Sequence, residues 1–216
     1  MRDSIREKKA NLEFNRERWG NPENWSGKDN YGYAWGGQNQ QGMDEAASVA
    51  DKFLRPYVKN RYDLKILELS PGGGRFTHEL VRYAKAIDLL DMNEACLDVC
   101  KERFEKYLPI PIRYYANDGQ SCAMIEDTDY DLIASFASMV HAHPDIIQGY
   151  VEQLGRCLAP EGILWIDHSG QGANTKGHRT DMTPEKMQSF AEKAGLKVLE
   201  QPFRSSRDCI SIMTKK

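Results

Sequence analysis

Beyond residue 62 this chain alternates short apolar runs with stretches of helical periodicity, and that alternation restricts its fold more than any other feature. DLKILEL (63–69), AKAIDLLD (84–91), PIRYYAND (111–118), YDLIASF (130–136) and ILWID (163–167) read as strands. Helices are expected before and between them. One covers Met43 to Lys59 until Pro56 disturbs its end, and one covers Arg75 to Tyr83. Another runs from an Asn93 cap to about Tyr107, and another from Pro144 to near Leu158, before a turn at Pro160-Glu161-Gly162. Thr183-Pro184-Glu185 starts a last helix, ending at Gly195. LKVLEQ (196–201) and CISIMT (209–214) leave no room for a helix between them and should form an antiparallel hairpin. The expectation is an α/β fold: a mostly parallel seven-stranded sheet with helices on both faces and a C-terminal antiparallel hairpin.

The first 42 residues have another texture. They are rich in Asn, Gln, Gly and aromatics, and hold three of the four tryptophans, at 19, 25 and 35. The chain therefore divides into a cap or lid segment, 1–42, and a regular domain, 43–216. A net charge of −3 in 216 residues gives no basic footprint for nucleic acid. No run approaches the ~20 apolar residues of a membrane span. The charged start MRDSIREKKANLEFNRERW does not suit a signal peptide, so a cytoplasmic protein is expected. The five cysteines form no CxxC, and Cys96 and Cys100 read as buried thiols rather than zinc ligands.

On a parallel sheet, ligands bind outside the carboxyl ends of the strands. The first strand ends in LELSPGGGRFT (67–77). Gly72 and Gly74 carry no β-carbon, so a ligand can lie against the backbone there, although a plain tight turn needs the same residues. Asp91 ends the second strand, where a carboxylate can accept both hydroxyls of a ribose or cap a helix. Asp88, inside the strand, is less suitable. Asn117-Asp118-Gly119 ends the third strand; Asp118 can accept from an exocyclic amine or simply form an Asp-Gly turn. The series E-x-S-x-G-x-G, an acid ending the next strand and an Asp ending the third resembles class I S-adenosylmethionine-dependent methyltransferases, over residues 43–216. The resemblance implies a Rossmann-like sheet and S-adenosylmethionine as cofactor. It puts Glu68, Ser70, Gly72 and Gly74 at the methionyl end, Asp91 and Met92 at the ribose, Asp118 and Gly119 at the adenine, and Phe136 beside the sulfonium. Ser70 departs from the family's usual first glycine. A nicotinamide dehydrogenase fits less well, because Thr77 stands where G-x-G-x-x-G needs its third glycine.

Four of the five histidines gather beyond strands four and five: His141, His143, His168 and His178. His78 stands apart. A neutral imidazole can take a hydroxyl proton during methyl transfer. The -VH- after strand four and -HS- after strand five resemble bacterial sugar and small-molecule O-methyltransferases. On that resemblance His141 is the general base, with His168 second; capping histidines are the plain alternative. His143, His178 and Arg179 are candidate acceptor-binding residues, Arg179 and Lys176 toward an anionic group or as solvated charges. These histidines with Asp167 could ligate a divalent ion, but no dense carboxylate set accompanies them, and no metal is expected. Tyr31, Tyr33 and Trp35 suit a sugar's apolar faces if the segment folds over the sheet edge; a satellite core or a homodimer contact would use them equally. The expected function is O-methylation of a sugar or sugar-containing small molecule. An N-, carboxyl- or phosphate-methyltransferase and a non-catalytic donor-binding module are the alternatives. Nucleic acid is not an expected partner: no Asn-Pro-Pro-Tyr signature follows strand four.

Overall fold

The computed structural model describes residues 2–25, 39–58, 61–106, 109–172 and 178–216. Seven strands form one sheet in the order β3-β2-β1-β4-β5-β7-β6. They are β1 Leu64–Leu69, β2 Ala84–Asp91, β3 Ile112–Ala116, β4 Tyr130–Ser135, β5 Leu158–Ser169, β6 Leu196–Glu200 and β7 Asp208–Lys215. The first five run parallel, and β7 enters antiparallel between β5 and β6. The sheet is therefore the expected one, with the strand order switching beside β1.

The continuous apolar character of β1 follows from burial on both faces. Leu67 and Leu69 join a core with Ile133, Ile147 and Leu154. Ile66 points the other way, into a core with Leu89, Leu97 and Trp165. Helices α6 (Pro144–Cys157) and α7 (Pro184–Lys193) cover the first face. The second is covered by α2 (Gln40–Val49), α3 (Arg55–Val58), α4 (Thr77–Leu80) and α5 (Glu94–Phe104).

Several boundaries differ from expectation. The helix expected from Met43 begins at Gln40, because the Asn39 side chain accepts the Gly42 amide at 2.6 Å. It widens into a π-helical turn, Ala50–Leu54, before α3. Pro56 has no N–H to give to the turn below, and the Arg55 amide reaches back to the Ala50 carbonyl instead. The expected helix at Arg75–Tyr83 shrinks to α4, since the Tyr83 and Ala84 amides close turns on Leu80 and Val81 that lead straight into β2. Pro160-Glu161-Gly162 is a bulge inside β5 rather than a turn before it. A β-carbon on Gly162 would lie 2.5 Å from the Tyr130 carbonyl oxygen. Asn93 makes no side-chain cap for α5; Asp91 Oδ1 accepts the Asn93 amide at 2.9 Å instead.

The largest departure is at the N-terminus, where Arg2–Gly20 forms a helix, α1. It lies across the carboxyl edge of the sheet, tied there by polar side chains. Asn11 donates to the His141 carbonyl at 2.9 Å and accepts the His143 amide at 2.9 Å. Asn15 donates to the same carbonyl at 3.1 Å, and Arg16 to the Asp118 carbonyl at 3.1 Å. Tyr31, Tyr33 and Trp35, with Lys176, lie outside the described residues. Among the described residues no helix is long and apolar enough to cross a membrane.

Candidate active site

A cavity of about 440 Å³ lies between α1 and the carboxyl ends of the strands. Ser70, Gly72, Asp91, Met92, Phe136, His141 and Arg179 line it, together with Trp19 and Trp25 from the N-terminal segment.

The glycine loop divides the labour of its residues. Gly72 borders the cavity at φ +56°, and a β-carbon there would meet the Trp25 ring at 3.0 Å. Gly74 does not line the cavity. Its missing β-carbon admits α5: a methyl group would stand 2.4 Å from Phe104 Cε2. The expectation that both glycines face a ligand is thus corrected to one for the ligand and one for packing. Ser70 adopts φ +57°, which accounts for the glycine usual there. Its amide donates to Leu90 O at 2.7 Å, and its carbonyl accepts from Ser138 Oγ at 2.9 Å. Ala137, across the cavity at the end of β4, also has φ +57°, held by a 2.9 Å bond from its amide to Asp167 Oδ2. Two such non-glycine residues facing one cavity mark a place where backbone strain of order 1 kcal/mol each is tolerated.

Glu68 is buried behind the loop and does not reach the cavity; its Oε2 accepts from Thr77 Oγ1. Burial raises its pKa to about 8. The expected methionyl contact becomes a brace between β1 and α4. Asp91 does line the cavity. Each oxygen takes one backbone amide, Oδ1 from Asn93 at 2.9 Å and Oδ2 from Gly72 at 3.3 Å, and further lone pairs remain for a diol. Burial raises this carboxyl to about 6, against those amide bonds. Asp88 is consumed elsewhere, paired with Arg113 at 2.8 Å and accepting from Tyr130 Oη.

Asp118 is exposed and outside the cavity. Its Oδ1 accepts the Gln120 and Ser121 amides at 2.8 and 2.7 Å, the Asp-Gly turn of the plain alternative. Gly119, at φ +85°, is buried against Leu12 and Met92, likewise away from the cavity. Phe136 forms part of the wall, 4.7 Å from the Phe76 ring and under the guanidinium groups of Arg75 and Arg204, at 4.9 and 5.1 Å. A bare backbone at Gly72, an acceptor carboxylate at Asp91 and room for a nucleoside fit an S-adenosyl compound. Asp118 and Glu68 do not line the cavity.

The four histidines separate into four environments. His141 lines the cavity with its Nδ1 2.5 Å from the His178 carbonyl and its ring 5.3 Å from that of Trp19. A carbonyl only accepts, so Nδ1 carries the proton and Nε2 is the free acceptor. Burial lowers the His141 pKa to about 4, so the ring is neutral. His168 is fully buried between β5 and β7. Its Nδ1 donates to the Ser169 carbonyl at 2.6 Å and its Nε2 accepts from Ser211 Oγ at 2.7 Å. It has no nitrogen left for a proton transfer and is not in the cavity, which removes it as second base. His143 caps α6 by accepting the Asp145 amide at 3.2 Å, and the His178 ring lies 5.4 Å from Phe14; neither ring lines the cavity. Among the described residues no three His, Cys, Asp or Glu side chains gather as a metal site.

Arg179 lines the cavity and pairs bidentately with buried Asp208, both bonds 2.9 Å. Arg204 joins the same carboxylate at 3.0 Å and also reaches Asp167 at 2.9 Å and Glu45 at 3.2 Å. Arg75, next to the glycine loop, shares Glu45 at 3.2 Å. Nothing in the sequence points to this network, or to Asn11 and Asn15, because no motif links residues from so many separate segments.

Residues 66–162 match a family model described as "Methyltransferase domain". No curated protein sequence matches the chain. Among solved structures, an S-adenosylmethionine-dependent methyltransferase from Leishmania major aligns with TM-score 0.70 at 14% identity, over 94% of this chain and 83% of that one. Magnesium protoporphyrin IX methyltransferase from Synechocystis PCC 6803, with bound S-adenosylhomocysteine, aligns with TM-score 0.67 at 10% identity, over 97% and 98%. The [4+2]-cyclase SpnF aligns with TM-score 0.65 at 14% identity, over 82% of each. These identities speak for a common fold.

Proposed function

We propose that this chain, a class I S-adenosylmethionine-dependent methyltransferase, methylates a hydroxyl of a sugar or sugar-containing small molecule, with His141 as general base. The bound donor supplies an electrophilic methyl group on a sulfonium centre. Gly72 offers bare main chain to the donor, and Asp91 accepts from its ribose. His141 receives the acceptor's hydroxyl proton on Nε2 while its Nδ1–H stays on the His178 carbonyl. Residues 2–25 of the cap segment serve as a roof: Trp19 and Trp25 line the cavity with aromatic rings, which suit the C–H faces of a sugar and exclude water. The observation that carries this reading is His141 on the cavity wall with its Nδ1 2.5 Å from the His178 carbonyl, a contact that leaves Nε2 as the basic nitrogen.

The test is a panel of sugar and glycoside acceptors, scored by mass gain of one methyl group, for wild type and His141→Ala. Loss of the base should lower kcat by about 10²–10⁴-fold, with donor affinity by calorimetry unchanged. A variant that keeps most of its turnover would remove His141 from the chemistry. The roof is tested by limited proteolysis: cleavage near residues 20–40 should slow when donor is bound, and indifference to donor would refute it.

A further inference from the structure

The cavity is lined by more positive charge than the proposed hydroxyl chemistry needs. Arg75, Arg179, Arg204 and Arg207 line it, against Glu45 and Asp208 in the wall and Asp167 behind. Four guanidinium groups thus face three carboxylates. Arg204 is spent on all three of those carboxylates. Arg179 gives Nε and Nη2 to Asp208, which leaves its Nη1 edge open. Arg207 is exposed and has no ion pair among the described residues.

The turn that carries Arg207 is fixed. The Arg204 amide donates to the Asp208 carbonyl at 3.0 Å, and Ser205 Oγ accepts the amides of Arg207 and Asp208 at 3.1 and 3.0 Å. Ser205 also lines the cavity, and its hydroxyl proton remains available to a ligand. This wall lies on the His141 side, since the carbonyl that orients His141 belongs to the residue preceding Arg179. Arg75 follows the glycine loop directly and belongs to the donor's side.

Resting on the reading that this cavity takes the methyl acceptor, we infer that its wall on the His141 side is an oxyanion subsite. The acceptor then carries a phosphoryl or carboxylate group, seated by Arg207, the open edge of Arg179 and Ser205. A planar guanidinium meets such an oxyanion with paired N–H bonds.

The test uses the full chain loaded with S-adenosylhomocysteine, whose binding is established first by calorimetry. Inorganic phosphate is then titrated at constant ionic strength against chloride, following intrinsic tryptophan fluorescence, to which Trp19 and Trp25 in the cavity wall contribute; acetate is the parallel arm. A saturable change is expected, stronger with phosphate for a phosphoryl acceptor and with acetate for a carboxylate. Arg207→Gln should weaken it about 10- to 100-fold, and Arg207→Lys, which keeps the charge but not the paired N–H bonds, should fall between Arg207→Gln and wild type. A response that matches chloride, or is equal in wild type and Arg207→Gln, overturns the subsite and leaves the methyltransferase reading intact. Phosphate binding only without S-adenosylhomocysteine also overturns it, assigning the arginines to the donor's own carboxylate. Failure of S-adenosylhomocysteine to bind takes down the donor reading and this inference with it.

Discussion

Replacing Gly74 by alanine should cost far more stability than the same change at Gly72, although the two stand in one short loop. Both have positive φ, +78° and +56°, so each alanine bears a left-handed backbone cost of about 1–2 kcal/mol. At Gly74 the new methyl also stands 2.4 Å from Phe104 Cε2 and 3.0 Å from Cζ, inside the α5 core. Overpacking of that kind adds about 1–3 kcal/mol, for a total of about 2–5 kcal/mol. At Gly72 the nearest atom is Trp25 Cη2 at 3.0 Å, on a separate segment that can give way. In a domain of this size 1 kcal/mol moves Tm by about 2–4 °C, so Gly74→Ala should melt roughly 4–20 °C lower. Thermal and urea unfolding by circular dichroism would read this, with calorimetry for donor affinity. Gly72→Ala should lose donor affinity with a smaller fall in Tm. Adding Phe104→Leu to Gly74→Ala relieves the contact and should recover part of the loss. Equal unfolding of the two single variants, or a stable Gly74→Ala that has merely lost donor affinity, would refute the division.

His168→Ala removes two buried hydrogen bonds and should lower stability by about 2–4 kcal/mol while kcat per folded molecule holds; a selective fall in kcat would return His168 to the chemistry. Glu68 titrates at about 8 in the folded chain and at ~4.3 unfolded. Between those values the native state holds a proton the unfolded state has lost, so stability falls as pH rises, by ~1.4 kcal/mol per pH unit for this group. Glu68→Gln should flatten that slope in urea unfolding from pH 5 to 8, and an unchanged slope would place the titration elsewhere. The lowered pKa of His141, about 4, predicts kcat/KM that is level above about pH 5 on the basic group's account, with no inflection near 6.5.

What could be read from the chain depended on how each part is stabilised. Strands β1, β2 and β4 are buried in apolar runs, so their residues announce them. Helix α1 has no apolar stripe; it is held by Asn11, Asn15 and Arg16 bonding to distant backbone, which leaves no periodic trace. Asp91 was legible because a strand-end acid faces the sheet's carboxyl edge. Asp118 has the same local look, yet its carboxylate folds back onto its own turn. His141 and His168 both follow apolar strands. Only the entry of β7 beside β5, which brings Ser211 against His168, separates a buried structural ring from one that opens on the cavity.

The two asparagines of α1 fasten the roof to the main chain of residues 141–143, the same residues that carry the proposed base. Shortening the protein from its N-terminus would therefore loosen the imidazole's support at the moment it uncovered the cleft. An inactive truncation would not by itself distinguish a lost cover from a displaced histidine; a point change at Trp25, whose indole N–H bonds to the Trp19 carbonyl rather than to Asn11 or Asn15, would.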